Sequence, residues 1–132
     1  MQQPDNDIAE ALVARADDDL SLVRIATAQL DIADAIVGFH AQQAAEKLLK
    51  ALLSRRRVDY PLTHDVERLV ELVEEATGAR PPDADAIAAL TPWAVEFRYG
   101  ELADEVLDRD ATLDRLQRLR AWAAELLSEP RQ

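Results

Sequence analysis

Apolar side chains recur at steps of three and four residues along most of this chain. The first segment with this pattern is predicted as a helix from about residue 6 to about 29, whose apolar positions include Leu12, Ala16, Leu20, Val23, Ala26 and Leu30. Steps of three and four match an α-helix that buries one side, whereas the alternation typical of strands is absent. The hydrophobic pattern therefore predicts an all-α protein.

Two further helices follow from the same repeat. The second is predicted from about 31 to 56, and Pro61 in the turn RVDYPLTH prevents helix there because proline lacks an amide hydrogen. The third is predicted from about 64 to 77, with Thr63 as its N-cap and Gly78 as its end.

The last part of the chain predicts two more helices. One starts near Asp83 and ends near FRYG, and Thr91-Pro92 kinks or restarts it. The other is capped by Asp110 or Thr112 and turns inward Leu113, Leu116, Leu119, Trp122, Ala123 and Leu126. About five helices with short connections favour an up-and-down helical bundle, a single domain over residues 1–132 with frayed ends at 1–5 and 128–132.

The second helix contains the stretch GFHAQQAAEKLLKALL, which has two different sides. One arc holds Val37, Ala41, Ala44, Ala45, Leu48 and Leu52, which we expect to face the bundle core. The other arc holds His40, Gln42, Gln43, Glu46, Lys47 and Lys50, with the apolar Ile36, Phe39 and Leu53 among them. An aromatic side chain among amides and charges is typical of an interface or a binding groove, although a solvated stripe with one exposed Phe fits the same pattern.

Charge narrows the classes of partner. The 132 residues include 15 basic and 26 acidic ones, a net charge of −11, which argues against sequence-blind coating of DNA. The charge is uneven, because from His40 to Arg57 a single acid, Glu46, stands among the bases Lys47, Lys50, Arg55, Arg56 and Arg57. These bases either contact a ligand or complement the C-terminus of a helix.

Composition also bears on location and on cofactors. The chain has no cysteine, which excludes disulfides and thiolate chemistry and fits a reducing cytoplasm. Its polar, acidic start is unlike a secretory signal, and no apolar run approaches the roughly 18 residues of a membrane span. We therefore expect a cytoplasmic protein that makes no membrane contact. With two distant histidines and no phosphate-binding glycine loop, we expect neither a metal nor a cofactor.

Four segments carry a resemblance to a known family. FHAQQAAEKLLKALL resembles the hallmark of the HEPN family, the higher eukaryotes and prokaryotes nucleotide-binding domain. ARADDDLSLVRIA resembles the first helix of the family, PLTHDVERLVEL its Thr-His-acid start to the third helix, and EFRYGE its Arg-Tyr-Pro segment with Gly100 in place of the proline. The resemblance covers nearly the whole chain.

The resemblance implies a fold and partners. It implies an up-and-down helical bundle that forms a homodimer. It also implies a small nucleotidyltransferase-fold protein as partner, the two often acting as a toxin–antitoxin module, and a nucleotide or RNA as ligand.

Many HEPN proteins are ribonucleases with a second motif, an Arg followed after four to six residues by a His on a late helix. Arg98 is the candidate for that Arg, but no histidine follows His64 anywhere in the chain. Arg57 and His64 have the required separation, yet Pro61 lies between them in a connector. The ribonuclease motif is thus missing from the late helix, and enzyme activity is not the favoured prediction.

Three hypotheses remain open. The first is a nucleotide- or nucleic-acid-binding interaction module whose interface or ligand contacts are Phe39, Gln42, Gln43, Glu46, Lys47, Lys50, Arg98 and Tyr99. The second is a ribonuclease toxin that uses Arg57 or Arg98 with His64. The third is a non-catalytic helical assembly subunit without ligand.

Overall fold

Two long antiparallel helices organise the fold. The computed structural model describes the backbone of residues 3–94 and 106–129 and the side chains of residues 7–94 and 106–129. Helix α1 covers Gln3–Ala26 and helix α2 covers Asp34–Arg55. Because only residues 27–33 separate the two helices, and Asp19 in the second half of α1 bonds to His40 and Lys47 of α2, the second helix runs back along the first.

Three more α-helices and one 3-10 helix complete the described chain. They are α3 (Val66–Thr77), α4 (Ala84–Ala88), the 3-10 helix Thr91–Ala94 and α5 (Arg109–Ser128). Helix α5 starts beside the end of α1 and runs towards its beginning, because Arg109 reaches the Ala26 carbonyl and Arg120 pairs with Asp17. The described residues contain helices and no strands, which confirms the predicted all-α bundle.

Helix α2 lies at the centre of the core and is covered on most of its circumference. Four leucines are fully buried along it: Leu48, Leu49, Leu52 and Leu53. Burying one such side chain contributes roughly 1.5–3 kcal/mol. Leu53 was predicted on the outer arc, and that placement is wrong because its side chain is fully buried in the core, against which Val58 and Tyr60 also pack.

The helix caps differ from the predicted ones by a few residues. Asp65, not Thr63, caps α3 by accepting a hydrogen bond from the Arg68 amide, whereas the Thr63 hydroxyl accepts one from the Asp65 amide. Asp108, not Asp110 or Thr112, caps α5 by accepting a hydrogen bond from the Ala111 amide. At both helices the cap is a side-chain oxygen that accepts from a free amide of the first turn, as expected. The sequence alone offered several such oxygens within a few residues and could not choose between them.

The predicted fourth helix is shorter than expected. Helix α4 ends at Ala88, and a separate 3-10 helix begins at Thr91. Thr91-Pro92 therefore starts a new helix and does not kink a continuous one. The Thr91 hydroxyl donates to the Ala88 carbonyl and accepts from the Val66 amide, which joins the end of α4 to the start of α3. The predicted end at FRYG lies outside the described residues.

Gly38 is a position where the packing of α2 requires a glycine. A Cβ atom there would lie 2.5 Å from the Cδ2 and Cε3 atoms of Trp93, which is itself buried. The absent side chain lets the indole ring lie directly on the α2 backbone.

We expect Gly38→Ala to lower the free energy of unfolding by about 1–3 kcal/mol, because the added methyl group overpacks the indole. The ordinary helical preference of Ala over Gly, about 1 kcal/mol, acts in the opposite direction. Urea unfolding of the wild type and of Gly38→Ala, each with and without Trp93→Leu, measures the energetic coupling between positions 38 and 93. An equal cost of Gly38→Ala in the two backgrounds would rule out the steric explanation.

Candidate functional site

The polar side of α2 forms a hydrogen-bonded network around Glu46. This carboxylate is 5 % exposed and accepts hydrogen bonds from Lys50 at 2.9 Å, from Gln42 at 3.0 Å and from the His64 Nδ1 at 2.8 Å. The fully buried Gln42 also donates to the main-chain carbonyl of His64 and accepts from Gln43. The network therefore fastens the connector between α2 and α3, residues 56–65, to the middle of α2.

The same network sets the protonation of Glu46. Burial alone would raise the pKa of this carboxyl, but the hydrogen bonds from Lys50, Gln42 and His64, together with the charge of Lys50, outweigh burial and lower it. The lowered pKa keeps Glu46 ionised. Because three donors bond to the buried carboxylate, its charge is compensated, and the network holds the connector in place without leaving a buried ion unpaired.

The middle of the connector is held by Tyr60. Its hydroxyl lies 3.3 Å from the Ser54 hydroxyl, and the Lys50 ammonium lies 5.7 Å from the centre of its ring. A cation over an aromatic face is attracted by the ring's negative surface. Lys50 thus contacts both Glu46, which bonds to His64, and Tyr60, the two groups that hold the connector against α2.

A second polar cluster joins α1 to α2. Asp19, 9 % exposed, accepts from Lys47 at 2.6 Å and from the His40 Nδ1 at 2.9 Å. Nearby Asp17 accepts hydrogen bonds from the Nε and Nη2 atoms of Arg120 on α5, at 2.6 and 3.2 Å. Two members of the acidic run Asp17–Asp19 in α1 therefore cross-link helices, and of the three only Asp18 is exposed.

A narrow stripe of α2, which we call the uncovered stripe, is only partly covered by the residues that the structure describes. Its half-buried members are Phe39, His40, Gln43, Lys47, Lys50 and Ser54, and Ile36 is exposed. The predicted outer arc was too wide, because Gln42 and Glu46 lie inside the fold under the connector. Phe39 packs edge-on against His40, with ring centres 5.2 Å apart.

The predicted site residues fall into separate places. Phe39, Gln43, Lys47 and Lys50 lie on the uncovered stripe. Gln42 and Glu46 lie beneath the connector, and Lys50 bonds to Glu46 from the edge of the stripe. Arg57 ends the turn after α2 in a left-handed conformation with φ of 60°, and His64 exposes 64 % of its side chain. Arg98 and Tyr99 lie outside the described residues.

Arg109 is the site of a cross-link that the sequence did not indicate. Its guanidinium donates to the Asp34 carboxylate at 2.8 Å and to the carbonyls of Ala26, Gln29 and Ile32. These carbonyls belong to the end of α1 and to the turn that follows. An arginine at the start of a helix has no local signal for such a role, since its partners lie far away along the chain.

Two further features bear on the site's chemistry. Across the part of the chain that the structure describes, no helix combines the length and apolar content of a membrane crossing. The same residues contain no group of three or more His, Cys, Asp or Glu side chains that could hold a metal ion.

The fold and the site define a class: an α-helical bundle in which polar side chains of the central helix bond to the connector that follows it. A family model described as the HEPN domain matches residues 9–128, and the chain belongs to this family. This membership confirms the resemblance seen in the sequence and supports a module related to nucleotides or RNA. No curated protein and no solved structure matches the chain.

Proposed function

We propose that this chain is a HEPN-type interaction module that binds a nucleotide or RNA and works as a homodimer. Its second partner would be a small nucleotidyltransferase-fold protein, in a toxin–antitoxin-like pair. The observation that carries the proposal is the attachment of the connector to α2: Gln42 and Glu46 bond to His64, and the same connector exposes Arg56 and Arg57.

The connector has the chemistry that a nucleotide or RNA needs. Arginine guanidinium groups bind phosphate, and the planar rings of His64 and Tyr60 can stack on an unpaired base. The long-range field of a chain with net charge −11 repels RNA, so the small cluster of bases at Arg56 and Arg57 has to offset both this field and the two acids of the same connector. Holding such a cluster rigid before binding reduces the entropy lost when a ligand is immobilised.

The plain alternative is that the arginines only complement the helix end. Cations are favourable near a helix C-terminus, and Arg56 is the C-cap of α2. This alternative predicts no RNA affinity, so binding experiments separate the two.

We expect a fluorescently labelled single-stranded RNA to bind the protein with an affinity that falls as salt rises. Arg56→Ala should weaken binding and reduce the slope of log affinity against log salt by about 1, because one phosphate contact is lost. Fluorescence anisotropy at several salt concentrations measures both quantities. Arg68→Ala is the matched control, since Arg68 is an exposed arginine on α3 that pairs with Glu71.

Three results would overturn this part of the proposal. The first is that neither the labelled RNA nor ATP binds the protein at low salt. The second is that Arg68→Ala weakens RNA binding as much as Arg56→Ala does. The third is that Arg56→Ala leaves the slope of log affinity against log salt unchanged. A small nucleotidyltransferase that co-purifies with the chain when the two are co-expressed would support the paired module.

One observation favours a second function, an RNA-cleaving toxin. The Glu46 carboxylate orients the His64 ring through Nδ1 while most of the side chain stays exposed, an arrangement suited to general acid–base chemistry. In the binding experiment, shortening of the labelled RNA by the wild-type protein but not by His64→Ala would establish this function instead.

A further inference from the structure

The side chain of His64 is held at one ring nitrogen and is exposed over most of its surface. Its Nδ1 atom lies 2.8 Å from a carboxylate oxygen of Glu46, and 64 % of the side chain is accessible to solvent. Burial would raise the pKa of the Glu46 carboxyl, but its hydrogen bonds lower it below the ordinary value of 4.5. Glu46 is therefore an ionised acceptor near neutral pH, and the Nδ1 atom that bonds to it must carry a hydrogen.

The hydrogen on Nδ1 decides what the other ring nitrogen of His64 can do. In the neutral ring the Nε2 atom has only a lone pair, so it accepts a hydrogen bond and cannot donate one to a phosphate oxygen. In the protonated ring Nε2 also carries a hydrogen, and the ring becomes a cationic donor. A histidine changes between these two forms in the range from about pH 5 to about pH 8. Protonation therefore makes His64 able to bind phosphate.

The net charge of the connector depends on this single proton. Residues 56–65 contain two arginines, Arg56 and Arg57, and two aspartates, Asp59 and Asp65, and their charges cancel. The connector is therefore neutral when His64 is neutral, and it carries one positive charge when His64 is protonated. In a chain with a net charge of −11, a neutral segment does not attract a polyanion, whereas a positive one does so locally.

The charged groups of the elements next to His64 cancel as well. On α2, Glu46 is paired with Lys50 at 2.9 Å. The start of α3 adds one acid and one base, Glu67 and Arg68. The 3-10 helix that bonds to the start of α3 has no charged residue. Because none of these elements supplies a net positive charge, the proton of His64 decides the sign of the charge at this end of the connector.

We propose that protonation of His64 controls the binding of RNA to the connector, so that phosphate groups bind at the acid end of the histidine range and are released at the alkaline end. This inference rests on the RNA binding of the proposed function and adds its regulation by pH. Protonation also strengthens the attachment of the connector to α2, since the hydrogen bond between His64 and Glu46 becomes an ion pair. The same proton thus supplies a phosphate contact and holds that contact in place.

The other histidine of the chain provides a matched control. The chain has two histidines, and His40 also bonds to a carboxylate through Nδ1, at 2.9 Å from Asp19. Lys47 shares that carboxylate at 2.6 Å, so the chemistry of the two clusters is alike. The location differs, because His40 joins α2 to α1, whereas His64 lies in the connector. A pH response that belongs to the connector is therefore lost when His64 is replaced and is kept when His40 is replaced.

The test is the fluorescence anisotropy of a labelled oligouridylate, whose bases do not titrate in this range, at about pH 8 and about pH 5.5. For the wild type we expect the affinity to be roughly tenfold higher at the lower pH, and the slope of log affinity against log salt to steepen by about 1, because one charged contact to phosphate is gained. His64→Gln should show neither change, and His40→Gln should show both. Circular dichroism at both pH values verifies that each variant is folded.

The possible results separate this inference from the proposed function. If the wild type binds the oligouridylate equally well at both pH values, or if His64→Gln keeps the pH response, RNA binding stands and this inference fails. A response that is lost in His40→Gln and kept in His64→Gln also overturns it, because the titrating group then lies between α1 and α2. If no oligouridylate binds at either pH value, the proposed RNA binding and this inference fail together. Should His64→Gln not fold, a wild-type salt slope that is the same at both pH values still contradicts the inference.

Discussion

Arg109→Met is expected to lower the free energy of unfolding by about 3 kcal/mol. The guanidinium is 11 % exposed and bonds at once to Asp34 of α2 and to three carbonyls around the end of α1. Methionine fills much of the same space but donates no hydrogen bond. The carbonyls then lose their partners, and the carboxylate loses its counter-ion.

Urea unfolding followed by circular dichroism measures this change, with Arg118→Met as the control. Arg118 also lies on α5 and pairs with a carboxylate, Asp83, but its side chain is exposed, and we expect the control to unfold almost like the wild type. A loss for Arg109→Met that is no larger than the control's would mean that this cross-link adds nothing to stability.

Glu46→Gln is expected to have the next largest effect, a loss of about 2–3 kcal/mol at neutral pH. The substitution keeps the shape of the side chain, so no cavity forms. It removes the counter-ion of Lys50, whose side chain is 13 % exposed, and it places an amide group where three donors converge. An ammonium left without its carboxylate in this surrounding is costly.

The pH dependence of this loss follows from the direction of the pKa shift. The pKa of Glu46 in the folded chain lies below its ordinary value of 4.5, so the folded state binds this proton less readily than the unfolded state. The stability that the carboxylate contributes is complete above 4.5 and declines as pH falls through the lowered folded pKa. The difference between wild type and Glu46→Gln should therefore be constant near neutrality and shrink in acid.

Urea unfolding at a series of pH values from neutrality down to the acid range tests both statements. Glu71→Gln is the control, because Glu71 is exposed and pairs only with the exposed Arg68 among its described contacts. We expect little change for this control. A Glu46→Gln deficit that persists unchanged at the lowest pH would show that the ionised carboxylate is not its cause.

The helical repeat identified the elements because helix formation is local. Leu48 and Leu52 were assigned to the core from spacing alone, and both are fully buried. The family could be predicted too, because its hallmark lies in one continuous segment of α2. The ends of helices were less predictable, since Thr63 and Asp65 offer equivalent oxygens and only the final backbone geometry selects one.

The site could be predicted in its residue types but not in its arrangement. The polar row of α2 was visible in the sequence, and it was interpreted as an outward-facing surface. Gln42 and Glu46 instead lie under a connector that comes from a later part of the chain. The position of a side chain on a helix gives its direction, but not which other segment covers that direction.

The sequence by itself determined that this protein is α-helical with a basic segment in an acidic chain, because periodicity and charge are local properties, and one continuous segment of α2 carried the resemblance to the HEPN family. Only the tertiary structure decided that Glu46 is a buried fastening, that Asp19 joins α1 to α2, and that Arg109 secures the turn between them. The physical reason is that these interactions join residues 18 to 83 positions apart, and their geometry exists only once the helices have packed.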